Sequence, residues 1–288
     1  MEQQIVFQSG SRKPVPVLKQ AETEAGIFPY LSFPLLEKTN LVKHCFTTRL
    51  GGVSKGIFES LNLSFTRGDE REAVEENFRR ISQALGTEYG NFVLTDQTHT
   101  ANVRRVGRED AGKGLLRERD YTDIDGLITN EPGLVLSAFF ADCVPLYFVD
   151  TRQKAIGLSH SGWRGTVGRM GKATLEAMKR EFQTEPEDVV CAIGPSICQN
   201  CYEVSEDVAL AFEQGFPGRR DEILQDKGNG KYQLDLWRAN EIVLLEAGIR
   251  QEHLTVTEIC TCCNHKLLFS HRASHGKRGN LGAFLCLK

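Results

Sequence analysis

Two side chains stand out by type and spacing: the thiol of Cys143 and the imidazole of His160. They lie in ADCVPLYFVDTRQKAIGLSHSGWRG, from Ala141 to Gly165. This stretch reads as a β-hairpin. One apolar run, Leu134 to Val149, ends at Asp150, and a second, Lys154 to Ser161, follows Thr151, Arg152 and Gln153. A short symmetric loop centred between Thr151 and Arg152 sets position 150 against 153, 149 against 154 and, counting outward, Cys143 against His160. Directly opposed side chains hold their Cβ atoms about 4.5–5.5 Å apart. That separation suits a thiolate and an imidazole sharing one metal ion, with Zn–S about 2.3 Å and Zn–N about 2.0–2.1 Å. It suits a Cys–His nucleophilic dyad equally well. The flanks argue against a merely buried thiol, since Asp142 precedes Cys143 and a Gly-Trp-Arg-Gly loop follows His160.

A catalytic zinc takes three protein ligands and keeps one position open. The third ligand comes from His44, His99, His253, His265, His271 or His275. His99 is the best placed, in a polar turn directly after a buried-type strand, but spacing leaves the choice open. A metal so held keeps Cys143 as thiolate and lowers the pKa of a bound water to about 7. Asp142 is the nearest carboxylate and is read as the general acid/base. Strand alternation aims it at the opposite face unless Pro145 bends the chain. Arg164, in the strand-to-helix loop Ser161–Gly165, and Arg49, after its own strand, are read as bidentate ligands for phosphate or a polar heterocycle. Cys198-x-x-Cys201 and Cys260-x-Cys262-Cys263-x-His265 could together make a structural zinc site, but the long separation and the irregular second cluster count against it. No His-x-Glu occurs, which excludes the cytidine-deaminase type of zinc enzyme.

The elements that must carry these groups are legible in outline. Val42–Thr48 has β character and runs into a glycine-rich turn. Val74, Phe78, Ile81 and Leu85 fall at helical spacing before Gly86. Short strands are expected at Phe92–Leu94 and Val103–Val106. A helix is expected from about Val167 to Phe182, a strand at Val189–Ile193, and a helix capped by Asp235 that stops at Gly248. Leu254–Ile259, Leu267–His271 and Leu281–Leu287 read as three last strands. Residues 1–40 are a weakly patterned lead-in, or at most an edge hairpin. Interspersed hairpins and helices predict an α+β class with mixed sheets rather than a regular βαβ series.

Composition bounds the function. The 288 residues can bury a sizeable core, and the net charge of −3 gives no electrostatic case for nucleic acid or an anionic membrane. No run is long enough to span a bilayer. The N-terminus, MEQQIVFQSGSRKPVP, lacks the order of a signal peptide, so a cytoplasmic location is expected. Nine cysteines, an odd number, read there as thiols or metal ligands and not as a disulfide framework.

From about residue 40 onward the chain resembles the YlmD/YfiH family, the laccase-domain proteins also called multicopper polyphenol oxidases. The resemblance rests on HCFTTRLGGVS (44–54), SLNLSF (60–65), DQTHT (96–100), DIDGLIT (123–129), ADCVPLYFVD (141–150), HSGWRGT (160–166), AIGPSI (192–197), CYEV (201–204) and FSHR (269–272). It implies one laccase-like domain over residues 1–288 with a layered α/β/β/α fold, also compared with cysteine hydrolases of the cytotoxic necrotizing factor type. It implies metal ligands at His99, Cys143 and His160, with Zn2+ as the metal and Cu2+ as the alternative. The implied activity is phosphorolysis of adenosine, guanosine, inosine and S-methyl-5'-thioadenosine, with deamination of adenosine. Purine nucleosides and phosphate are then the partners of an enzyme expected to be a monomer. Members often carry S-Y-R-R where this chain has Ser270-His271-Arg272-Ala273, so only Arg272 is carried over as a phosphate ligand.

Three other readings compete with the zinc nucleoside enzyme. In the first, Cys143 and His160 hydrolyse an amide without metal. In the second, copper oxidises phenols, which seven histidines serve poorly because a multicopper site uses many imidazoles. In the third, the metal is structural in a binding module.

Overall fold

The computed structural model describes residues 7, 17–24 and 26–288. The apolar runs become strands of two six-stranded sheets and one of three strands. The first sheet runs Val17–Thr23, Gly26–Ser32, Val42–Thr47, Leu281–Leu287, Val135–Phe140, Phe92–Leu94. The second runs Leu254–Val256, Val189–Ile193, Val144–Asp150, Ala155–Ser161, Gly126–Thr129, Val103–Arg105. Both are mixed, with a parallel pair at one edge of the first and at both edges of the second, and antiparallel pairs elsewhere. The part of 1–40 that is described forms the edge hairpin, with Val17 paired to Ser32 and Thr23 to Gly26.

Alternation along the central strand explains why its sequence is apolar throughout. Leu146 and Phe148 point to one side, where they pack with Leu175, Met178, Phe212, Trp237 and Val243 from three helices. Tyr147 and Val149 point to the other side, between the two sheets, against Leu136, Ala138 and Leu285. A strand covered on both faces has no solvent side to mark with polar residues. The outer face of the first sheet, with Val135, Phe284 and Cys286, packs on Val74, Phe78 and Ile81 of the helix Arg71–Leu85. Layers therefore follow one another as helices, sheet, sheet, helix. Among the described residues no helix is long and apolar enough to cross a membrane.

The hairpin register differs from the expected one. Asp150 pairs with Ala155, and Pro145, not Cys143, faces His160. The loop holds four residues because the Asp150 carboxylate accepts the N–H groups of Arg152 and Gln153, both at 2.9 Å, and Lys154 turns the chain at φ 52°. Cys143 thus lies one residue before the strand. The helix expected from Val167 is two, Trp163–Val167 and Met170–Phe182, separated where Arg169 adopts φ 59°. Leu267–His271 is not a strand. The N–H groups of Leu267 and Leu268 both turn back to the Asn264 carbonyl, at 2.8 and 2.9 Å.

His44 shows how the sheet interface handles a buried base. Its Nε2 accepts the Phe33 N–H at 2.9 Å, and its ring stacks on Phe33. Burial dominates and pushes its pKa down from 6.5 to about 4, against the opposing pull of Glu37. Between those values the unfolded chain binds a proton that the folded one refuses, so stability rises with pH there. The expected result is undiminished stability above about pH 6.5 and a loss of about 3 kcal/mol from this group by pH 4, at about 1.36 kcal/mol per unit. Urea unfolding of wild type and His44→Gln across that range measures it. Identical slopes would show that His44 does not titrate in this way.

Candidate metal centre

Asp125 organises the site. It sits at the mouth of the strand Gly126–Thr129, which pairs antiparallel with Ala155–Ser161, Gly126 opposite Ser159. That pairing brings the His160 backbone N–H to the Asp125 carbonyl at 2.8 Å, and His160 Nδ1 to Asp125 Oδ1 at 2.7 Å. The same fully buried carboxylate accepts the backbone N–H groups of Thr98, His99 and Thr100 at 3.1, 3.2 and 2.9 Å. One side chain therefore fixes both histidines. With Nδ1 donating to Asp125, His160 keeps Nε2 as its lone-pair nitrogen, the arrangement of a metal-ligating imidazole. His99 has φ 69°, a left-handed turn that the three N–H bonds hold.

Cys143 arrives by a different device. Asp142 has φ 93°, which swings the chain so that the thiol meets the imidazoles despite the shifted register. Cys143 Sγ lies 3.9 Å from His99 Nε2, and the two imidazole rings stand 4.9 Å apart, nearly perpendicular. The ligand atoms of His99, Cys143 and His160 all fall within 4.8 Å of one another. Gly162 leaves the room for them: a Cβ there would come within 2.8 Å of His99 Cδ2 and 3.2 Å of Cys143 Sγ. Burial raises the Cys143 pKa, but His160 and His99 outweigh it and bring the thiol down to about 6. Burial lowers that of His160, yet Cys143 and Asp125 lift it to about 9. A half-buried sulfur held as thiolate beside two oriented nitrogens is a donor set that fits a divalent zinc-like cation.

The three ligands line one wall of a cavity of about 770 Å³. Phe65, Tyr121 and Phe139 give it apolar surface, and Arg67 and Arg278 give it positive charge. Arg278 is depressed to about 10, first by burial and next by the neighbouring Arg67. Its Nε is buried without a protein hydrogen-bond partner. Its Nη1 donates to the Gly279 carbonyl at 3.3 Å and to Asn280 Oδ1, and its Nη2 lies 3.5 Å from His271 Nδ1, which leaves Nε as its unpaired donor for an anion.

The arginines expected to bind substrate lie elsewhere. Arg49 donates to the carbonyls of Glu59 and His265 at 2.7 and 3.1 Å and covers the Phe269 ring. Arg164 lies on Trp163. Arg272 donates to the carbonyls of Cys201 and Glu203 at 3.1 and 2.9 Å. None of the three lines the large cavity. Both oxygens of Asp142 are engaged, Oδ1 by the Thr261 hydroxyl at 2.6 Å and Oδ2 by the Arg272 N–H at 2.7 Å. His44, His253, His265, His271 and His275 stand outside the ligand group. Sequence reasoning passed over Asp125, Arg67 and Arg278. Asp125 did carry a signal, a carboxylate at the threshold of the wholly apolar run Leu127–Ile128. Arg278 carried none, because its partners come from segments far away in the chain.

Known proteins resemble this chain over most of its length. The profile of the family described as "Multi-copper polyphenol oxidoreductase laccase" matches residues 43–288. A protein of Geobacillus stearothermophilus named purine nucleoside phosphorylase YlmD is 37% identical over 83% of this chain and 88% of its own length. A purine nucleoside phosphorylase of Bacteroides thetaiotaomicron is 36% identical over 87% of this chain and 93% of its own. A protein named adenosine deaminase RL5, from an unknown prokaryotic organism, is 32% identical over 82% and 93%. The crystal structure of the Bacillus licheniformis hypothetical protein YfiH superposes with a TM-score of 0.86 at 33% identity, covering 90% of this chain and 96% of that one. The structure of Geobacillus stearothermophilus YlmD superposes with 0.84 at 34% identity, covering 98% of both.

Proposed function

Because the chain belongs to the multi-copper polyphenol oxidoreductase laccase family, we propose that it is a zinc-dependent purine nucleoside enzyme. It phosphorolyses adenosine, guanosine, inosine and S-methyl-5'-thioadenosine to the base and (methylthio)ribose-1-phosphate, and deaminates adenosine to inosine. The names of the relatives support both activities. The observation that carries the reading is a group of three Cys/His donors open to a cavity lined by several arginines, Arg67 and Arg278 among them. We take residues 1–288 as one laccase-like domain, acting as a cytoplasmic monomer.

The division of labour follows from the walls. Phe65 and Phe139 offer flat apolar surface to a purine, and Arg67 and Arg278 clamp phosphate in bidentate fashion. In phosphorolysis a phosphate oxygen bonds to the ribose C1' as the bond to the purine N9 breaks, and the base departs with a proton. In deamination a water oxygen replaces the amino group at C6, which leaves as ammonia. A cation held by His99, Cys143 and His160 supplies Lewis acidity at the open side of the site. Holding both reactants in register is the larger part of the protein's contribution. Asp142, with both oxygens engaged, positions Cys143 and the Arg272 segment rather than shuttling a proton.

A metal-free reading has one specific support, the line Asp125–His160–Cys143, which resembles a cysteine-hydrolase triad. Chelation distinguishes them, since it leaves a thiol nucleophile active. Adenosine incubated with the protein and phosphate yields adenine with ribose-1-phosphate, and inosine. Arg278→Ala weakens phosphorolysis through its KM for phosphate by about 10–100-fold, the loss of a charged hydrogen bond. It leaves deamination near wild type. No product from wild type refutes the assignment, and equal loss of both activities removes Arg278 from phosphate binding.

A further inference from the structure

We propose that Cys198, Cys201, Cys260 and Cys263 form a second, closed zinc site that clamps the backbone beneath the catalytic centre. Their four sulfur atoms lie within 4.8 Å of one another. A zinc ion with Zn–S bonds of about 2.3 Å sets tetrahedral sulfurs about 3.8 Å apart, so small adjustments complete the site. The sulfurs of Cys201 and Cys263 are 3.5 Å apart, far beyond a disulfide bond of about 2.05 Å. All nine cysteines are free thiols.

The fold explains why residues so distant in sequence meet. Val189–Ile193 and Leu254–Val256 are parallel neighbours, so their chains leave the sheet side by side. Ser196 then bridges to Cys260, with its N–H on the Ile259 carbonyl and its carbonyl accepting the Thr261 N–H. Each segment next makes a C-x-x-C turn. The N–H groups of Cys198 and Cys263 both point at Cys260 Sγ, at 3.3 and 3.4 Å. Backbone N–H groups aimed at a sulfur are the outer hydrogen bonds that orient a metal-bound thiolate. The irregular spacing of the second cluster is resolved, since Cys260 and Cys263 belong to the group and Cys262 does not. Four protein ligands leave no open position, which makes the site structural.

Its place gives it a task. Asp142, the residue whose turn aims Cys143, is held on three sides by the same two segments and their continuation. Its carbonyl accepts the Ile197 N–H at 2.9 Å. Its carboxylate accepts the Thr261 hydroxyl and the Arg272 N–H. Arg272 in turn donates to the Cys201 carbonyl at 3.1 Å. A metal joining residues 198–201 to 260–263 fixes this frame.

Metal analysis of the full chain tests the site independently of nucleoside chemistry. Wild type is expected to bind about two zinc ions per chain, and His160→Ala and Cys260→Ser/Cys263→Ser about one each. Cobalt-loaded His160→Ala protein shows the ligand-field and sulfur charge-transfer bands of a tetrathiolate. In folded, zinc-loaded His160→Ala protein the four thiols resist alkylation until a strong chelator is added. If the cysteine variant fails to fold, the His160→Ala protein alone decides. The proposal is overturned if that protein binds no zinc and its four cysteines alkylate at once, or if peptide mapping under non-reducing conditions finds them in disulfides.

Discussion

Replacing His160 with alanine is expected to strip the first metal centre and bring nucleoside turnover to background, a fall of at least about a thousandfold. The imidazole supplies one of three ligands, and its neighbours cannot compensate. Cys143 would lose the cation that most favours its thiolate, since the lowering of its pKa to about 6 begins with His160. Asp125 would lose the N–H at 2.7 Å and remain a buried carboxylate held by three backbone N–H groups and the Thr100 hydroxyl. Loss of an outer hydrogen-bond partner costs a metal site about 10–100-fold in affinity, and loss of a ligand costs more. Zinc content and product formation, measured on the same preparation, check this. Wild-type turnover from a variant lacking this zinc would show that the chemistry needs no metal, and would favour the thiol nucleophile.

The approach of Cys143 to His160 was legible because local sequence nearly dictates it, whereas His99 rested on the family resemblance. A thiol and an imidazole at the ends of two adjoining apolar runs must come near each other if the runs pair. The expected register was two residues off, yet the conclusion survived, since the left-handed turn at Asp142 restores the approach that the register alone removes. No alternation rule anticipates a positive φ at an aspartate. The arginines fared differently. Arg49 and Arg164 follow strands and sit beside glycines, which are local cues, but guanidinium groups are long and settle on whichever carbonyls or rings lie nearby. Arg278 shares a cavity with His99 and Cys143 only because the last strand lies between Val42–Thr47 and Val135–Phe140. That is a property of the assembled sheet and of no sequence window. The layered fold could be anticipated from mixed hairpins and helices, whereas Leu267–His271 read as a strand because Leu268 and Phe269 are buried for tertiary reasons within a run of turns.

Asp125→Ala is expected to do nearly as much damage as losing a ligand, although Asp125 touches no metal. The carboxylate is the common acceptor for three backbone N–H groups and one imidazole. Each donor left without a partner in this part-buried loop costs at most about 1–3 kcal/mol, so the loop carrying Thr98, His99 and Thr100 should release before the sheet does. His99 then loses its left-handed turn, and His160 loses the bond that reserves Nε2 for the cation. Zinc affinity, read by competition with a chelator, should fall by at least about 10–100-fold, and thermal stability should drop with it. Asp125→Asn is a sharper probe. It keeps an oxygen for His160 but turns an N–H toward Thr98 and Thr100, so it should preserve the imidazole and still free the loop. Burial alone would raise the Asp125 carboxyl, but the His160 hydrogen bond prevails and holds it below 3.8. Its stabilisation is therefore complete above the ordinary carboxylate range and disappears only as pH falls through the lowered value. If both variants bind zinc as wild type does, the two histidines are held by the sheet itself, and Asp125 is a spectator.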